Sequence, residues 1–246
     1  MLSVILRVSP DVDSLALEAA SIIASEARTA IAGRGRFVIA VSGGHTPWKM
    51  LRIFAAQDVD WEAVHVFQVD ERVAPEGDPD RNLTHLQECL AHAPIAESNI
   101  HAMLVNAEDL SWGMAQYEMT LREIAGNPPL LDLVHLGIGV DGHTASLVPG
   151  DPVLNVTDQN VALTENYQGR TRMTLTLPIL NRSRKILWLV TGAEKADVLR
   201  RLCDGDPSMP AGRLKRDQAI VLADKAAAAR LGCKVGLATG IHNCYS

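Results

Sequence analysis

A histidine and an aspartate lie together on a glycine-rich segment, LGIGVDGHTASLVPG, that follows an apolar run. An imidazole such as that of His143 has an ordinary pKa of about 6.5, so it can give or take protons at neutral pH. Asp141 lies two residues earlier and could orient the ring. The pair indicates general acid–base chemistry, with a histidine that merely belongs to a turn as the structural alternative.

The same segment contains a glycine pattern that occurs in dinucleotide-binding loops. Gly137, Gly139 and Gly142 match G-x-G-x-x-G, but that fingerprint opens a long helix in a first βα unit. Pro149 follows soon after and would cut such a helix short. We therefore expect the glycines to shape a loop around His143, and binding of a dinucleotide is the least favoured alternative.

A second segment, VSGGHTPWKM, joins a strand-like run to a helical pattern. Gly43 and Gly44 let the backbone approach a ligand closely. Thr46 is the predicted N-cap of the helix and Pro47 its first residue. Because a helix N-terminus offers unpaired N–H groups to an anion and Ser42 adds a hydroxyl, the segment predicts a phosphate cradle. An ordinary strand-to-helix turn is the alternative.

Three consecutive charged residues end another apolar run, in VFQVDERVAPEGDPDRN. Such charges must pair, bind a ligand or reach water, because an unpaired buried charge is costly. Arg72 could hold a phosphate or sugar hydroxyls through its planar guanidinium, and Asn82 ends the segment. Asp70 is a second candidate for orienting His143. The alternative is a solvated strand end in which Asp70 or Glu71 pairs with Arg72.

Two further cations lie near the ends of predicted strands, within RTRMTLTLPILNRSRKILWLVTGAEKADVL. Arg172 opens one strand, and Lys195 follows the next strand in the first turn of a helix. A lysine at a helix N-terminus opposes the macrodipole unless an anion binds there. Lys195 is therefore a candidate for binding an anion, with a solvated lysine as the alternative.

Strand-like runs alternate with amphipathic patterns along most of the chain, which is typical of an α/β protein. The predicted strands are Val4–Val8, Phe37–Val41, Val64–Val69, Leu131–Ile138, Met173–Leu177, Ile186–Thr191 and Ala219–Ala223. The predicted helices are Ser14–Ala32, Pro47–Ala56, Leu110–Ala125, Glu194–Cys203 and Asp224–Leu231. We predict a single domain over residues 1–246, with a mostly parallel, Rossmann-like sheet flanked by helices and a flexible tail over 236–246. Ligands bind at the carboxyl ends of such strands, where the segments described above lie.

Composition limits the classes of partner. The 246 residues are 47% hydrophobic and 21% charged, with a net charge of −6, which excludes disordered and collagenous classes. An acidic chain lacks the broad positive field that nucleic acid requires, and no apolar run approaches a membrane span. Any anion site must therefore depend on a few converging cations and N–H groups.

Cysteine and histidine spacing gives no sign of a metal site. The four cysteines are far apart and the eight histidines show no HExxH spacing. Isolated cysteines fit a reducing compartment, and the stretch from Met1 to Pro10 is too short for a signal peptide. We expect a cytoplasmic protein, monomeric or homodimeric, with His135 as a core residue.

Taken in order, SGGHTP, VDERVAP with Asn82, LGIGVDGHTASLVPG, RMTLTLP, VTGAEKA and PAGRL resemble the 6-phosphogluconolactonase family. That family is related to the glucosamine-6-phosphate deaminases and isomerases. The chain has DER where the deaminase branch has DEY, and DGHTASL where it has DGHIAFNEP. It departs from the lactonase pattern at Val148, at Arg81 and at Gln168-Gly169, which replaces paired prolines.

The resemblance implies a sugar-phosphate isomerase/CoA-transferase-like fold. It also implies hydrolysis of 6-phospho-D-glucono-1,5-lactone to 6-phosphogluconate, without a metal or organic cofactor. His143 would act as the general base, oriented by Asp141 or Asp70. The remaining candidates would bind the phosphate or the sugar: Ser42, Gly43, Gly44, Thr46, Arg72, Asn82, Arg172 and Lys195. An amino-sugar phosphate deaminase or aldose–ketose isomerase and a non-catalytic sugar-phosphate sensor remain alternatives.

Overall fold

The computed structural model describes residues 4–231 and 242–243. Apolar residues build most of the strands, which are β1 Ile5–Ser9, β2 Phe37–Val41, β3 Val64–Gln68, β4 Asp70–Arg72, β5 Ile100–His101, β6 Leu133–Leu136, β7 Val161–Leu163, β8 Arg172–Leu175, β9 Lys185–Val190, β10 Ala219–Asp224 and β11 His242–Asn243. The α-helices are α1 Val12–Arg34, α2 His45–Ala55, α3 Asn82–Leu90, α4 Leu110–Ala125, α5 Leu177–Arg182 and α6 Ala196–Asp204. Short 3-10 turns occur at Trp61–Ala63, Glu97–Asn99, Pro152–Asn155, Ala193–Lys195, Pro210–Arg213 and Ala227–Arg230.

The main sheet has the strand order β11-β1-β10-β9-β6-β2-β3-β5. All its neighbouring strands are parallel except β11, which pairs antiparallel with β1. The predicted α/β class and the mostly parallel sheet flanked by helices are confirmed. None of the helices in the described part of the chain is both long and apolar enough to span a bilayer.

Apolar side chains on successive residues of each strand bury against both faces of this sheet. In β9, Trp188 belongs to one hydrophobic cluster, whereas Leu187 and Leu189 belong to the other. Residues of α1, α2 and α3 cover one face, and residues of α4, α5 and α6 cover the opposite face. Parallel strands need such cover on both sides, because their two faces are equally apolar.

A second, antiparallel sheet joins β4, β8 and β7 and packs its apolar residues into the larger cluster. Its register places Arg72 directly opposite Arg172. The sequence predicts neither β4 nor β7, because β4 consists of charged residues and β7 lies in the loop-like stretch between Leu147 and Thr171. This sheet brings two predicted anion-binding residues to the same place.

Several predicted element boundaries are wrong. The strand predicted over Met173–Leu177 ends at Leu175, and Leu177 begins α5 after the N-cap Thr176. Instead of a helix over Asp224–Leu231, β10 includes Asp224 and a single 3-10 turn follows.

The helices also differ from the prediction in places. The N-cap of α2 is Gly44, not Thr46, so the helix begins at His45. The helix α3 was not predicted at all. Of the predicted tail over 236–246, residues 236–241 and 244–246 lie outside the described residues, so the tail and the domain limits remain predictions.

Candidate active site

Loops at the carboxyl edge of the main sheet enclose a cavity of about 420 Å³. From β2 the chain continues to β3 and β5 on one side, and only then reaches β6 on the other side of β2. Ligands of α/β sheets bind where the strand order reverses in this way. Ten of the eleven predicted site residues line the cavity: Ser42, Gly43, Gly44, Thr46, Asp70, Arg72, Asn82, His143, Arg172 and Lys195. The other, Asp141, contacts His143.

His143 and Asp141 form a hydrogen-bonded pair on the turn after β6. Asp141 Oδ1 lies 2.6 Å from His143 Nδ1 and accepts the His143 backbone N–H at 3.1 Å. Partial burial opposes ionisation of Asp141. The hydrogen bonds that His143 donates and the electrostatic attraction of its ring outweigh that effect, so the pKa of Asp141 is lowered. His143 Nδ1 is thus occupied, which leaves Nε2 for chemistry in the cavity.

Glycine is required beside this pair. A Cβ on Gly139 would lie 2.1 Å from His143 Nδ1 and 2.5 Å from Asp141 Oδ1. The backbone of the turn also closes tightly, because the Gly139 N–H donates to the His143 carbonyl at 2.8 Å. The predicted role of the glycines in shaping a loop around His143 therefore has a direct steric basis.

Asp70 has other partners than His143. Its Oδ2 accepts the Ser146 hydroxyl at 2.6 Å, and its backbone carbonyl accepts from Asn82 Nδ2 at 2.9 Å. Burial raises the pKa of Asp70, against the opposing effects of the Ser146 hydrogen bond and the Arg72 and Arg172 charges. Of the two carboxylates considered for orienting the imidazole, Asp141 is the one in hydrogen-bond contact with it.

Three cations converge on the cavity. The Arg72 guanidinium donates to Asn82 Oδ1 at 3.0 Å and to the Asp80 carbonyl at 2.7 Å. Arg172 is 8% exposed, and its Nε has no hydrogen-bond partner. Lys195 has no ion-pair partner among residues 4–231. Two arginines opposite each other in a sheet repel, so this arrangement favours an anion between them and Lys195.

The alternative in which Asp70 or Glu71 forms an ion pair with Arg72 is not observed. Glu71 is completely buried and pairs with Arg81, whose Nε lies 3.5 Å from Glu71 Oε2. The Glu71 carboxylate also accepts the backbone N–H groups of Asn82 and Leu83, each at 2.8 Å. These groups belong to the first turn of α3, so Glu71 caps that helix and thereby holds Asn82 beside the cavity.

The loop after β2 provides an uncapped helix start. Gly44, with φ 127°, is the N-cap of α2, and no side chain caps the first turn. A Cβ on Gly43 would lie 2.1 Å from Asn82 Oδ1, so the backbone packs closely there. The Thr46 hydroxyl lies 3.0 Å from that of Thr191. The uncapped start of α2 thus lies at the cavity edge, the position that a phosphate cradle requires.

The sequence predicts that Ser42 donates hydrogen bonds to a phosphate, but both of its donors are bound to His135. Its N–H donates to His135 Nδ1 at 3.3 Å, and its hydroxyl donates to the His135 carbonyl at 3.1 Å. These two bonds tie the end of β2 to β6. Ser42 thus fixes the cradle, while its hydroxyl oxygen can still accept a hydrogen bond.

We expect His135 to make the stability of the fold depend on pH. Burial lowers its pKa to about 3, whereas in the unfolded chain it would be about 6.5. Its contribution is therefore complete above about pH 6.5 and is lost as the pH falls toward 3. We expect the unfolding free energy from urea titrations to fall by roughly 2 kcal/mol between pH 6.5 and 5 through this group alone.

The variant His135→Gln isolates this effect, because glutamine keeps an acceptor for Ser42 but does not titrate. Its unfolding free energy is expected to depend less steeply on pH than that of the wild type. Equal slopes in the two proteins would contradict the assignment, whatever other groups titrate in the same range.

Sequence reasoning missed several residues at the site. Thr191 and Glu194 line the cavity beside Lys195, and VTGAEKA contained both next to the predicted lysine. Ser146 contacts Asp70, and Tyr167 contacts Asp141 at 3.4 Å. No sequence signal separated Tyr167 from other polar loop residues. Within the described residues, no group of three or more His, Cys, Asp or Glu side chains could hold a metal ion.

Comparison with known proteins identifies the family of the chain. Residues 10–222 match the family described as glucosamine-6-phosphate isomerases/6-phosphogluconolactonase. The chain belongs to this family. Among curated members, a 6-phosphogluconolactonase of Synechocystis sp. is 39% identical over 196 residues, covering 77% of this chain and 81% of that protein. The Mycobacterium tuberculosis 6-phosphogluconolactonase is 36% identical, covering 92% and 98%.

A solved structure of a family member has the same architecture. The crystal structure of 6-phosphogluconolactonase from Thermotoga maritima superposes with a TM-score of 0.79 at 26% identity. The match covers 89% of this chain and 98% of that one. The resemblance expected from the sequence motifs is confirmed.

Proposed function

We propose that the protein hydrolyses 6-phospho-D-glucono-1,5-lactone to 6-phospho-D-gluconate, in the oxidative pentose phosphate pathway. One observation carries the proposal. A histidine hydrogen-bonded to a carboxylate shares a 420 Å³ cavity with Arg72, Arg172 and Lys195. A phosphorylated lactone needs both parts, a proton-transfer group for the ester and a cationic site for the phosphate. The names of the family members cited above support the same substrate.

In the proposed reaction His143 is the general base. Nε2 takes a proton from a water molecule as its oxygen attacks C1 of the lactone. The C1–O bond to the ring then breaks, and the proton returns from Nε2 to the departing ring oxygen, which leaves a carboxylic acid and a hydroxyl. Asp141 holds the ring through Nδ1 and stabilises the imidazolium that forms. Backbone N–H groups of the glycine loop would stabilise the tetrahedral oxyanion.

The remaining residues are assigned to binding. Lys195, Arg172 and the first turn of α2 would hold the phosphate, since charge-assisted hydrogen bonds are the strongest available there. Arg72 and Asn82 would fix the phosphate or the sugar. Asp70 is proposed to accept a sugar hydroxyl, because it lines the cavity without contacting His143.

The test is direct hydrolysis of the purified lactone, followed by release of acid and corrected for spontaneous opening. Turnover well above the blank is expected. A rate equal to the blank would contradict the proposed function, and tight binding without turnover would favour a sugar-phosphate sensor. Release of ammonia from glucosamine 6-phosphate would instead favour the deaminase branch of the family.

Removal of a phosphate-binding cation should discriminate between substrates. We expect Lys195→Ala or Arg172→Ala to lower kcat/KM for the phosphorylated lactone by about 10–100-fold, as loss of a charge-assisted contact predicts. The loss should be much smaller with D-glucono-1,5-lactone. Arg200→Ala is a matched control, because Arg200 is an exposed residue of α6 that pairs with Asp204. Equal losses on both substrates would contradict phosphate recognition.

The protein is further proposed to act in the cytoplasm on this small molecule, as a monomer or homodimer, without a metal or organic cofactor and without binding nucleic acid. Cys89 and Cys203 are buried, as suits thiols with a packing role. Light scattering would give the oligomeric state, and activity that survives chelation would agree with metal-free hydrolysis.

A further inference from the structure

The loop between β7 and β8 ends in a tight turn beside the catalytic pair. Tyr167 and Arg170 exchange both backbone hydrogen bonds, at 3.0 and 3.3 Å. The two residues between them, Gln168 and Gly169, have φ values of 53° and 84°. Positive φ at both central positions is the geometry of a type I′ hairpin turn. The turn is therefore a defined structure that presents Tyr167 at a fixed place.

Tyr167 contacts three residues of the proposed site. Its hydroxyl donates to Asp141 Oδ2 at 3.4 Å. Its ring packs edge-on against His143, with centroids 5.7 Å apart. The Arg172 guanidinium carbon lies 5.0 Å from the centre of the ring, within the range of a cation–π interaction. The Tyr167 side chain thus contacts both the proposed proton-transfer pair and a proposed phosphate-binding cation.

Gln168 fixes the direction of the tyrosine proton. Arg172 Nη2 donates to Gln168 Oε1 at 3.3 Å, and Gln168 Nε2 donates to the Tyr167 hydroxyl at 3.3 Å. Because arginine can only donate, this amide orientation satisfies every partner. The Tyr167 oxygen accepts from Gln168, so its own proton is free to point at Asp141.

Asp141 is consequently held through both oxygens. Oδ1 is bound by His143 and Oδ2 by Tyr167. A carboxylate held at one oxygen can rotate about its side-chain bonds, whereas one held at both keeps its plane and the imidazole bound to it. Rotation of a catalytic ring by a small angle is enough to slow proton transfer, because the reaction depends on near-attack geometry.

We infer that Tyr167 is a positioning residue, which orients His143 through Asp141 and holds Arg172 over the phosphate site through its ring. This inference rests on the proposed function. Nothing in it requires Tyr167 to touch the substrate. The hydroxyl and the ring have separate tasks, so two substitutions separate them: Tyr167→Phe removes only the hydroxyl, and Tyr167→Leu removes the ring as well.

The two variants are expected to differ in kinetics. Tyr167→Phe should lower kcat about 3–10-fold and leave KM within about twofold, as loss of one hydrogen bond predicts. Tyr167→Leu should lower kcat similarly and also raise KM for the phosphorylated lactone about 3–10-fold, because Arg172 loses its support. The increase in KM should disappear with D-glucono-1,5-lactone, which has no phosphate. Asn166→Ala, an exposed change in the residue before the turn, is the control and should match the wild type.

A double-mutant cycle tests the route through Asp141. In an Asp141→Asn background, Tyr167→Phe should cause no further loss of kcat. The rates are measured at enzyme concentrations high enough for enzymatic hydrolysis to be faster than spontaneous opening of the lactone. The same fractional loss in both backgrounds would overturn the inference, as would wild-type kcat and KM in Tyr167→Phe. Equal losses on both substrates in Tyr167→Leu would indicate a merely structural role and overturn the link to Arg172.

A wild-type protein without lactone hydrolysis would contradict the proposed function instead. In that case, calorimetric measurement of 6-phosphogluconate binding tests the contact between Tyr167 and Arg172 separately. Tyr167→Leu is expected to weaken this binding about 3–10-fold and Tyr167→Phe less than twofold. Equal affinities in Tyr167→Leu and the wild type would overturn it.

Discussion

Replacement of His143 with alanine is expected to lower kcat for lactone hydrolysis by about 10²–10⁴-fold, the range for loss of a general base. The loss should fall on kcat more than on KM, because the anion-binding groups are separate residues on other elements of the fold. His143→Gln should lose a similar factor, since it keeps a polar side chain of comparable size that cannot carry the proton.

The reason for so large an effect lies in the contacts of the ring. Nδ1 is held by Asp141 at 2.6 Å and the ring packs on Tyr167, so Nε2 is the nitrogen available to the attacking water. No other histidine that lines the cavity has a hydrogen-bonded carboxylate among the described residues. His45 lines it too, at the start of α2, but has no such partner.

His92→Ala is the matched control for this prediction. His92 is exposed and lies on the segment after α3, away from the residues that line the cavity. Both rates must be corrected for spontaneous opening of the δ-lactone. Near-normal turnover in His143→Ala would remove the imidazole from the mechanism and leave the cavity as a binding site whose reaction depends on other groups.

The central strands could be predicted because their sequence pattern and their packing agree. Phe37–Val41 is a continuous apolar run, and the predicted bounds are those observed for β2. A fully buried parallel strand requires such a run, so tertiary structure confirms what the pattern indicates. The same rule predicted that the candidate site residues lie together, because strand ends of one sheet meet at one edge, and ten of them line one cavity.

The elements that depend on distant partners could not be predicted. The helix α3 starts with Arg81 as N-cap and no local side-chain cap. Its first N–H groups are bound instead by Glu71, eleven residues earlier in the chain. A sequence search for caps examines only neighbouring residues, so it missed both the helix and the structural purpose of this carboxylate.

The choice between Asp141 and Asp70 shows the same limit within the site. Both carboxylates follow strands whose ends meet, so the sequence places both near His143. The structure separates them through the glycine turn, which folds Asp141 onto the ring while Ser146 binds Asp70. The geometry of this turn depends on backbone angles that a residue pattern does not specify.

The close approach of the His143 ring to Gly139 leads to the second large effect that we expect. Gly139→Ala is expected to lower kcat by about 10²-fold while the fold is retained, since an added Cβ would lie 2.1 Å from His143 Nδ1 and 2.2 Å from its Cε1. Real Cβ atoms do not approach so closely, so the ring must move. A displacement of about 1 Å at a reacting group is enough to cost on the order of 100-fold in rate.

Gly33→Ala is the control for the added methyl group, because a Cβ at Gly33 in α1 meets nothing within 4 Å. It should keep wild-type kcat and gain slightly in stability, since alanine has a higher helix propensity than glycine.

For Gly139→Ala, we expect thermal unfolding close to that of the wild type together with strongly reduced kcat. Wild-type kcat would show that the ring can shift without loss, so the observed His143–Asp141 geometry would not be the one that catalysis requires. Reduced kcat with KM for the phosphorylated lactone nearly unchanged would instead place the whole effect on the proton-transfer pair, because Arg172 in β8 and Lys195 in the turn before α6 are not among the residues that the added methyl would meet.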